Sequence, residues 1–373
     1  MGFLDKLGKK QKEPEVLAES RSPVCNIQAF AEENGSCVYF YLWRDPGSDR
    51  ARVKACWVCN TAPAPDSADK AAMDRGEAPR MPKSGCGHDP KGIRLRKREL
   101  SVVWLEEGDG AALLEAGKLL ALIPGWAWSH DFPGYARHAV GTTSLAWEMT
   151  QAEAVLAPRV ERSAAYWRTM ENGYWKPLQE GGLAAMEDFF GPHEQYFAID
   201  GGKFPTKALV TGRKDGTRYA FTLGVAALCM PMVEQYHRED AGDHRRMELA
   251  FAARGDLPDE DWRKALGFLS GVSGYPWREV TWLGHGHTVP LPKGQIPGFA
   301  AMLLLDGRKL PGVPVPAFPP VMGEPVCPLW GVPVTQGEYD LAVQSLEPVI
   351  LEKYQGAPER LVIFDGTPKF LKE

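Results

Sequence analysis

Two apolar, β-rich runs within residues 23–60 predict a hairpin or a β-meander. Residues 37–43 are aromatic and β-branched, residues 44–49 have the polar, proline- and glycine-containing composition of a turn, and residues 53–59 return with strand character. Residues 61–92 are rich in proline, alanine, aspartate and glycine and show no periodicity. They are therefore expected to form a long surface loop.

The next part of the chain predicts two strands and two helices. Residues 100–105 and 140–149 are expected to be strands, whereas apolar positions at helical spacing over 111–123 predict a helix. A longer helix is predicted over residues 151–171. We expect an interruption near Pro158, because proline lacks the N–H group that continues a helix.

A proline- and glycine-containing run at residues 177–182 predicts a linker, and a short helix is expected over 183–190. The second half then opens on a hairpin whose turn contains Asp215 and Gly216, since this dipeptide readily adopts positive φ angles. The elements predicted after the hairpin are strands over 247–252, 299–305 and 360–364 and a helix over 259–270.

A capping box predicts the start of the last helix. Thr335 and Glu338 have the Thr-x-x-Glu spacing, so the helix is expected to begin at Gln336 and to continue to about Tyr354. Strands and helices interleave irregularly along the chain. The predicted fold class is therefore α+β (mixed α/β), with mixed β-sheets and flanking helices.

The predicted organisation is two packed domains after a short tail. Residues 1–22 are expected to be a flexible N-terminus, residues 23–180 an N-terminal α+β domain that carries the loop at 61–92, and residues 183–373 a second domain. A chain of 373 residues is long enough for two domains with hydrophobic cores.

Composition and charge narrow the class of protein. A formal net charge of −5 argues against a general nucleic-acid coat, so nucleic acid is an unlikely partner. Seven cysteines scattered over the chain fit reduced thiols better than a disulfide framework. The start of the chain lacks the apolar core of a signal peptide, and no apolar run reaches the roughly 20 residues of a membrane span. We expect a soluble, cytoplasmic protein without a membrane partner.

One group of residues has the chemistry of a zinc site. Cys56, Cys59 and Cys86 offer three thiolates and His88 offers an imidazole. However, residues i and i+3 of a regular strand point to opposite faces, whereas a zinc site needs a turn between its two cysteines. These four residues are the metal candidates of the sequence, and structural thiols are the preferred interpretation. We therefore expect no bound metal and no cofactor.

No motif in the sequence predicts catalysis. Phosphate-binding glycine loops are absent, and Tyr275 stands where a nucleophile elbow requires glycine. His285 and His287 lie two residues apart, so they project from the same face of a strand and predict polar contacts. Trp282 and Trp330 are aromatic residues that could anchor a partner, although a place in the core is the preferred interpretation for each.

Several blocks of the second half, taken in order, resemble the suppressor-of-fused family. They are Tyr-Ala-Phe-Thr-Leu-Gly-Val at 219–225, Arg-Met-Glu-Leu at 246–249, Gly-His-Thr at 286–288, Leu-Leu-Leu at 303–305 and Trp-Gly-Val-Pro-Val-Thr-x-x-Glu at 330–338. The resemblance extends over roughly residues 196–355 and points to the bacterial branch of the family.

The resemblance implies a mixed α/β domain that binds another protein and is not an enzyme. Many bacterial members look like immunity proteins that neutralise a toxin, so the implied partner is a protein, possibly a toxin domain of a polymorphic toxin system. Trp282, His285, His287 and Trp330 are the residues that we would place at the partner surface. The alternative is an enzyme with an unrecognised site, possibly metal-dependent through the four Cys and His residues.

Overall fold

A computed structural model describes residues 14–371 except 69, 75, 89 and 345–348. The chain divides into two units, Met1–Arg168 and Thr169–Glu373. The sequence analysis placed this division at residues 180–183. Strands and helices occur in both units, and each unit is described in turn. The predicted α+β class is confirmed.

Two antiparallel sheets make up most of the first unit. The first sheet has the order β1-β2-β3-β4 and the second the order β5-β6-β7-β8-β9, in which only β8 and β9 are parallel. The elements of this unit, with helix α2 running past its end, are β1 (Glu15–Arg21), β2 (Ile27–Asn34), β3 (Cys37–Arg44), β4 (Arg52–Asn60), α1 (Lys70–Asp74), β5 (Leu100–Trp104), β6 (Ala111–Glu115), β7 (Lys118–Ile123), β8 (Tyr135–Ala136), β9 (Trp147–Glu148) and α2 (Glu153–Glu171).

The predicted meander and the strand at 100–105 are confirmed, but α2 continues through Pro158 without the expected interruption. Three further expectations for this unit were wrong. Residues 111–123 form a hairpin, because Ala116 and Gly117 adopt positive φ angles of 47° and 77° and reverse the chain. Pairing of β6 with β5 then overrides the helical propensity of this leucine- and alanine-rich run.

In one of the other two cases a strand is present that was not predicted, and in the other most of a predicted strand is missing. Residues 15–21 lie in the predicted flexible N-terminus but form β1, which pairs with β2 along its length. Residues 140–149 were predicted to be a strand, and only Trp147–Glu148 is one. A turn precedes it, in which Thr143 Oγ1 accepts the N–H groups of Leu145 and Ala146, and such local bonds compete with a sheet ladder.

A mixed sheet dominates the second unit, with the order β10-β11-β12-β13-β16-β15-β14 and β17 paired to β13. Strand β13 is parallel to both β16 and β17. The elements of this unit are α3 (Trp175–Phe190), β10 (Gln195–Ala198), β11 (Ala208–Lys214), β12 (Thr217–Leu223), α4 (Val233–Tyr236), β13 (Met247–Arg254), α5 (Asp259–Val272), α6 (Tyr275–Glu279), β14 (Thr288–Pro290), β15 (Ala301–Asp306), β16 (Cys327–Val334), α7 (Gln336–Val343) and β17 (Ile363–Phe364).

Short 3-10 helices connect these elements in both units. Their bounds are Lys83–Gly85, Lys97–Glu99, Gly125–Ser129, Val225–Ala227, Ala241–Asp243, Gly307–Lys309, Val349–Lys353 and Pro358–Arg360. The hairpin of β11 and β12 confirms the turn predicted at Asp215 and Gly216, whose φ angles are 49° and 75°.

The predicted linker at 177–182 is instead part of helix α3. Pro177 is tolerated because it lies in the first turn, where backbone N–H groups have no partner within a helix. Gly182 faces the sheet, and a Cβ atom added there would lie 2.3 Å from Leu223 Cδ1. Glycine therefore allows the helix to approach the sheet closely rather than ending the helix.

The capping box is confirmed at the start of α7. Thr335 Oγ1 accepts the Glu338 N–H at 3.4 Å, and the Glu338 carboxylate accepts the Thr335 N–H at 2.9 Å. The second carboxylate oxygen of Glu338 accepts the N–H of Phe370 at 2.7 Å. The helix ends at Val343, well before the predicted Tyr354, and part of the predicted extension, 345–348, lies outside the described residues.

Candidate functional site

A buried carboxylate on β13 holds the turn that follows β12. Glu248 Oε1 accepts the N–H groups of Gly224 at 2.8 Å and Ala226 at 3.1 Å, and Glu248 Oε2 accepts the Thr222 hydroxyl at 2.6 Å. Burial raises the pKa of Glu248 to about 7, while these hydrogen bonds act in the opposite direction. Both carboxylate oxygens thus accept hydrogen bonds from groups of the same unit.

Arg246 lies two residues earlier, directly before β13, and holds the same turn from its carbonyl side. Its Nη1 donates to the carbonyl oxygens of Ala226 at 3.0 Å and Ala227 at 2.9 Å, and its Nε donates to Glu324 at 2.7 Å. Arg246 is almost fully buried, at 1% exposed. The Arg-x-Glu pattern is therefore a structural clamp on one turn.

A pocket with a cavity volume of about 340 Å³ lies beside this clamp. Its walls come from α3, from the turn after β12 and from residues 318–322, and they include Leu178, Leu223 and Phe318. Glu248 reaches the wall, but its oxygens are occupied by the bonds described above. The pocket accordingly presents an apolar surface.

A second site combines three histidines with a tryptophan. The rings of His237 and His244 are stacked, with centroids 3.8 Å apart. The Trp282 ring packs against the His237 ring at 4.9 Å and against the His287 ring at 4.3 Å. We call His237, Asp240, His244, Trp282 and His287 the histidine–tryptophan cluster.

Asp240 brings a carboxylate to the two stacked rings. Its Oδ2 lies 3.2 Å from His244 Nε2, and its Oδ1 lies 3.8 Å from His237 Nδ1. One ligand atom from each of these three residues lies within 4.8 Å of the other two. Two imidazoles and a carboxylate at such distances are a donor set that suits zinc and similar ions.

Local backbone structure places these three side chains. His237 follows α4, and its N–H bonds to the Val233 carbonyl at 2.9 Å. Asp240 precedes the short 3-10 helix Ala241–Asp243 and His244 follows it, with the His244 N–H bonded to the Ala241 carbonyl at 3.1 Å. Each ligand thus lies at the end of a hydrogen-bonded turn.

A buried polar network ties this loop to the ends of β15 and β16. Arg308 pairs with the buried Asp306, with Nη2 at 2.7 Å from Oδ2, and the same nitrogen donates to the Asp243 carbonyl at 2.9 Å. Cys327 Sγ donates to the same carbonyl at 3.2 Å. Burial raises the pKa of the Cys327 thiol to about 12, so it stays protonated at neutral pH.

Burial favours the neutral form of His237, His285 and His287. It lowers the pKa of His237, and the neighbouring His244 adds to this effect. It likewise lowers the pKa of His287 and of His285. Neutral imidazole is the form that binds metal ions.

Part of the second unit matches a known protein family. The family model described as Suppressor of fused protein (SUFU) matches residues 202–362. This segment resembles the suppressor of fused family. The matched residues are less than half of the chain and include the Arg246 and Glu248 clamp as well as the histidine–tryptophan cluster. The resemblance predicted over residues 196–355 is therefore confirmed.

The suppressor of fused domain favours a role in protein interaction for this chain. No curated protein and no solved structure matched the chain in the other two comparisons. None of the helices in the described part of the chain is long and apolar enough to cross a membrane.

Three of the four residues predicted at the partner surface of the suppressor of fused domain are neighbours. Trp282 and His287 belong to the cluster, and His285 Nδ1 accepts the Asp306 N–H at 3.1 Å. The structure places Trp330 elsewhere: it is 0% exposed and packs against Phe221, with ring centroids 5.3 Å apart. Trp330 is a core residue, because the β16 register turns it into the core of the sheet.

The four metal candidates of the first unit have other partners. His88 Nε2 accepts the Asn60 N–H at 3.1 Å, and His88 Nδ1 lies 2.9 Å from the Lys91 carbonyl, to which it donates. Asn60 Nδ2 lies 3.7 Å from Cys86 Sγ. Both His88 nitrogens are thus used within the unit, and the ring also stacks on Trp57.

Cys56 and Cys59 do not point to opposite faces of β4, contrary to the expectation for a regular strand. The β3–β4 register shifts by one residue between Val38 and Tyr39, so Cys56 pairs with Phe40 and Cys59 with Val38. This bulge places both thiols on one face, whereas a regular strand would have put them on opposite faces. Their sulfur atoms have different neighbours: Cys56 Sγ lies 3.6 Å from the Tyr135 carbonyl and Cys59 Sγ 4.0 Å from the Ile93 carbonyl.

The sequence analysis did not single out His237, Asp240 or His244. The signal was the spacing His-x2-Asp-x3-His at 237–244, which brings three ligand side chains together when the backbone turns twice. Within the described part of the chain, His237, Asp240 and His244 form the group in which at least three potential ligands lie close enough to share an ion.

Proposed function

We propose that this protein is a non-catalytic binding module of the bacterial branch of its family and that its partner is a toxin, which makes it a cytoplasmic immunity protein. The match of residues 202–362 to the suppressor of fused family supports a partner protein. The proposal extends this to a toxin that acts in the cell in which the protein is made.

The observation that carries the proposal is the exposed edge of the mixed sheet. Strand β10 ends the strand order of that sheet, and its four residues are all exposed. Side chains of a strand alternate between two faces, so both faces of β10 are open to solvent. An edge strand offers unpaired backbone groups to which an extended segment of a partner can add as a further strand.

Two aromatic side chains make this edge suited to a protein partner. Tyr196 and Phe197 are 37% and 41% exposed on adjacent positions of β10. Aromatic residues are enriched where protein interfaces bind most tightly. The opposite edge, β14, has three residues and ends at Pro290, which lacks a backbone donor. We therefore assign the partner to β10.

The buried polar groups of this unit also support a binding module. The carboxylate of Glu248 holds the backbone, and Arg308 holds Asp306 and the Asp243 carbonyl. Groups that are bonded in this way stabilise the fold and are not poised for proton transfer.

The test is protection and co-purification with the product of an adjacent toxin-like gene. Cells that produce the toxin are expected to survive with the parent chain and to lose protection with Phe197→Asp, because a charge at the edge opposes pairing and apolar contact. Val155→Asp is the matched control: Val155 is 71% exposed and lies on helix α2 rather than on a strand, and this variant should protect fully.

The proposed function fails if the toxin neither co-purifies with the parent chain nor is neutralised by it. If the parent chain protects and both variants protect equally, the partner binds elsewhere and the assignment to β10 is wrong.

A further inference from the structure

We propose that His237, Asp240 and His244 bind a divalent transition metal ion of the zinc class. The observation that carries this proposal is the convergence of three donor groups on one point of the loop between α4 and β13. His237 Nδ1 and His244 Nε2 lie 3.8 Å and 3.2 Å from the two oxygens of Asp240. The inference is independent of the proposed partner.

The distances fit the size of a zinc site. Zinc–nitrogen and zinc–oxygen bonds of about 2.0–2.2 Å in a tetrahedron place neighbouring ligand atoms about 3.3 Å apart. The two measured separations lie on either side of this value, and all three ligand atoms lie within 4.8 Å of each other. The stacked imidazole rings must rotate so that their lone pairs converge on the ion.

The chemistry of the donors selects the class of ion. Imidazole nitrogen binds zinc, copper, nickel and cobalt in preference to calcium or magnesium, which take oxygen ligands. The ion takes the place of the hydrogen between His244 Nε2 and the Asp240 carboxylate, so His244 binds it as the neutral tautomer that carries its hydrogen on Nδ1. Three protein ligands leave a coordination position for water or for an external group.

Charge near the site favours a cation. Residues 233–244 contain four carboxylates, at Glu234, Glu239, Asp240 and Asp243, and one guanidinium, at Arg238. This excess of negative charge lies on the segment that carries all three ligands, where it raises the local concentration of cations.

The surroundings hold the loop in place. The Asp243 carbonyl, one residue before His244, accepts a hydrogen bond from Arg308 at 2.9 Å, and Trp282 packs on the outer ring of the stacked pair. Such supports keep metal ligands in position and reduce the ordering cost of binding. In the first-unit set, by contrast, both nitrogens of His88 are bonded within the fold.

Isothermal titration calorimetry tests the proposal with zinc chloride as the probe and the full chain stripped by a chelator. We expect one zinc ion per chain with a dissociation constant below about 10 μM. Asp240→Asn and His244→Gln should each weaken binding by about 10-fold or more, since each removes one ligand and keeps the size of the side chain.

Two further variants serve as controls. His193→Gln removes a histidine whose Nδ1 lies 2.6 Å from Glu187, an exposed pair without a third ligand, and Cys86→Ala removes a thiol of the first-unit set. Both should bind zinc as the parent does, and near-ultraviolet circular dichroism should show that all four variants are folded. The proposal is overturned if the parent does not saturate with zinc at about 100 μM. It is also overturned if neither Asp240→Asn nor His244→Gln weakens binding.

Discussion

The two units of this chain each bring potential metal ligands together, but they use those ligands in different ways. In the first unit, His88 accepts the Asn60 N–H with one nitrogen and donates to the Lys91 carbonyl with the other. In the second unit, His237 and His244 direct one nitrogen each towards the carboxylate of Asp240. The first group is a set of structural contacts, whereas the second is a set of converging donors.

The difference shows that residue type alone does not define a site. Three thiols and an imidazole within about 30 residues have the composition of a zinc site, but hydrogen bonds inside the fold use the imidazole on both sides. Two histidines and an aspartate in an exposed loop attract less attention in the sequence. Their side chains nevertheless meet, because two short turns bring positions 237, 240 and 244 together.

The largest effect is expected from a substitution at the centre of the first-unit group. Asn60 is fully buried, and its side-chain oxygen accepts the Met81 N–H and the Trp57 Nε1–H, both at 2.9 Å. Asn60→Ala leaves these donors and the Met81 carbonyl without partners. It should lower the free energy of unfolding by about 3 kcal/mol or more, because each unpaired buried group costs about 1–3 kcal/mol.

Urea denaturation followed by tryptophan fluorescence measures this change. Gln28→Ala is the control, since Gln28 bonds to Glu19 on the exposed surface, and its effect should stay within about 0.5 kcal/mol. Equal effects of the two substitutions would show that the first-unit group is not a structural network.

A smaller effect is expected from the network behind the second-unit group. Arg308→Met removes the partner of the buried Asp306 and the donor to the Asp243 carbonyl. Because Arg308 is partly exposed, we expect a loss of about 1–3 kcal/mol in the free energy of unfolding. The affinity for zinc should also fall by about 10-fold, since the loop that carries His244 loses its anchor.

The control for this variant is Arg254→Met, because Arg254 pairs with Asp256 on the surface and lies away from the loop. It should change neither stability nor zinc affinity appreciably. If Arg308→Met is less stable but binds zinc with parental affinity, Arg308 does not position the ligands.

Local chemistry made some parts of the fold predictable from sequence. The Asp215-Gly216 turn and the capping box of Thr335 and Glu338 depend on contacts within a few residues, and both are present. The run 111–123 depends instead on a distant partner, β5, and its leucines and alanines fit a helix and a hairpin equally well.

Long-range structure likewise limited the prediction of the sites. Trp330 lies in the core, as the sequence interpretation preferred, but its neighbours on β12 could be identified only in the structure. The bulge in β4 turned Cys56 and Cys59 to one face against the expectation for a regular strand. Trp282 and His287 were predicted as site residues, but the sequence did not reveal that they pack beside His237.

X-ray absorption spectroscopy of the chain loaded with one equivalent of zinc distinguishes the two groups most directly. Ligation by His237, Asp240 and His244 predicts a first shell of nitrogen and oxygen atoms at about 2.0–2.2 Å and no sulfur. Sulfur scattering at about 2.3 Å would place the ion on the cysteines of the first unit and contradict the account.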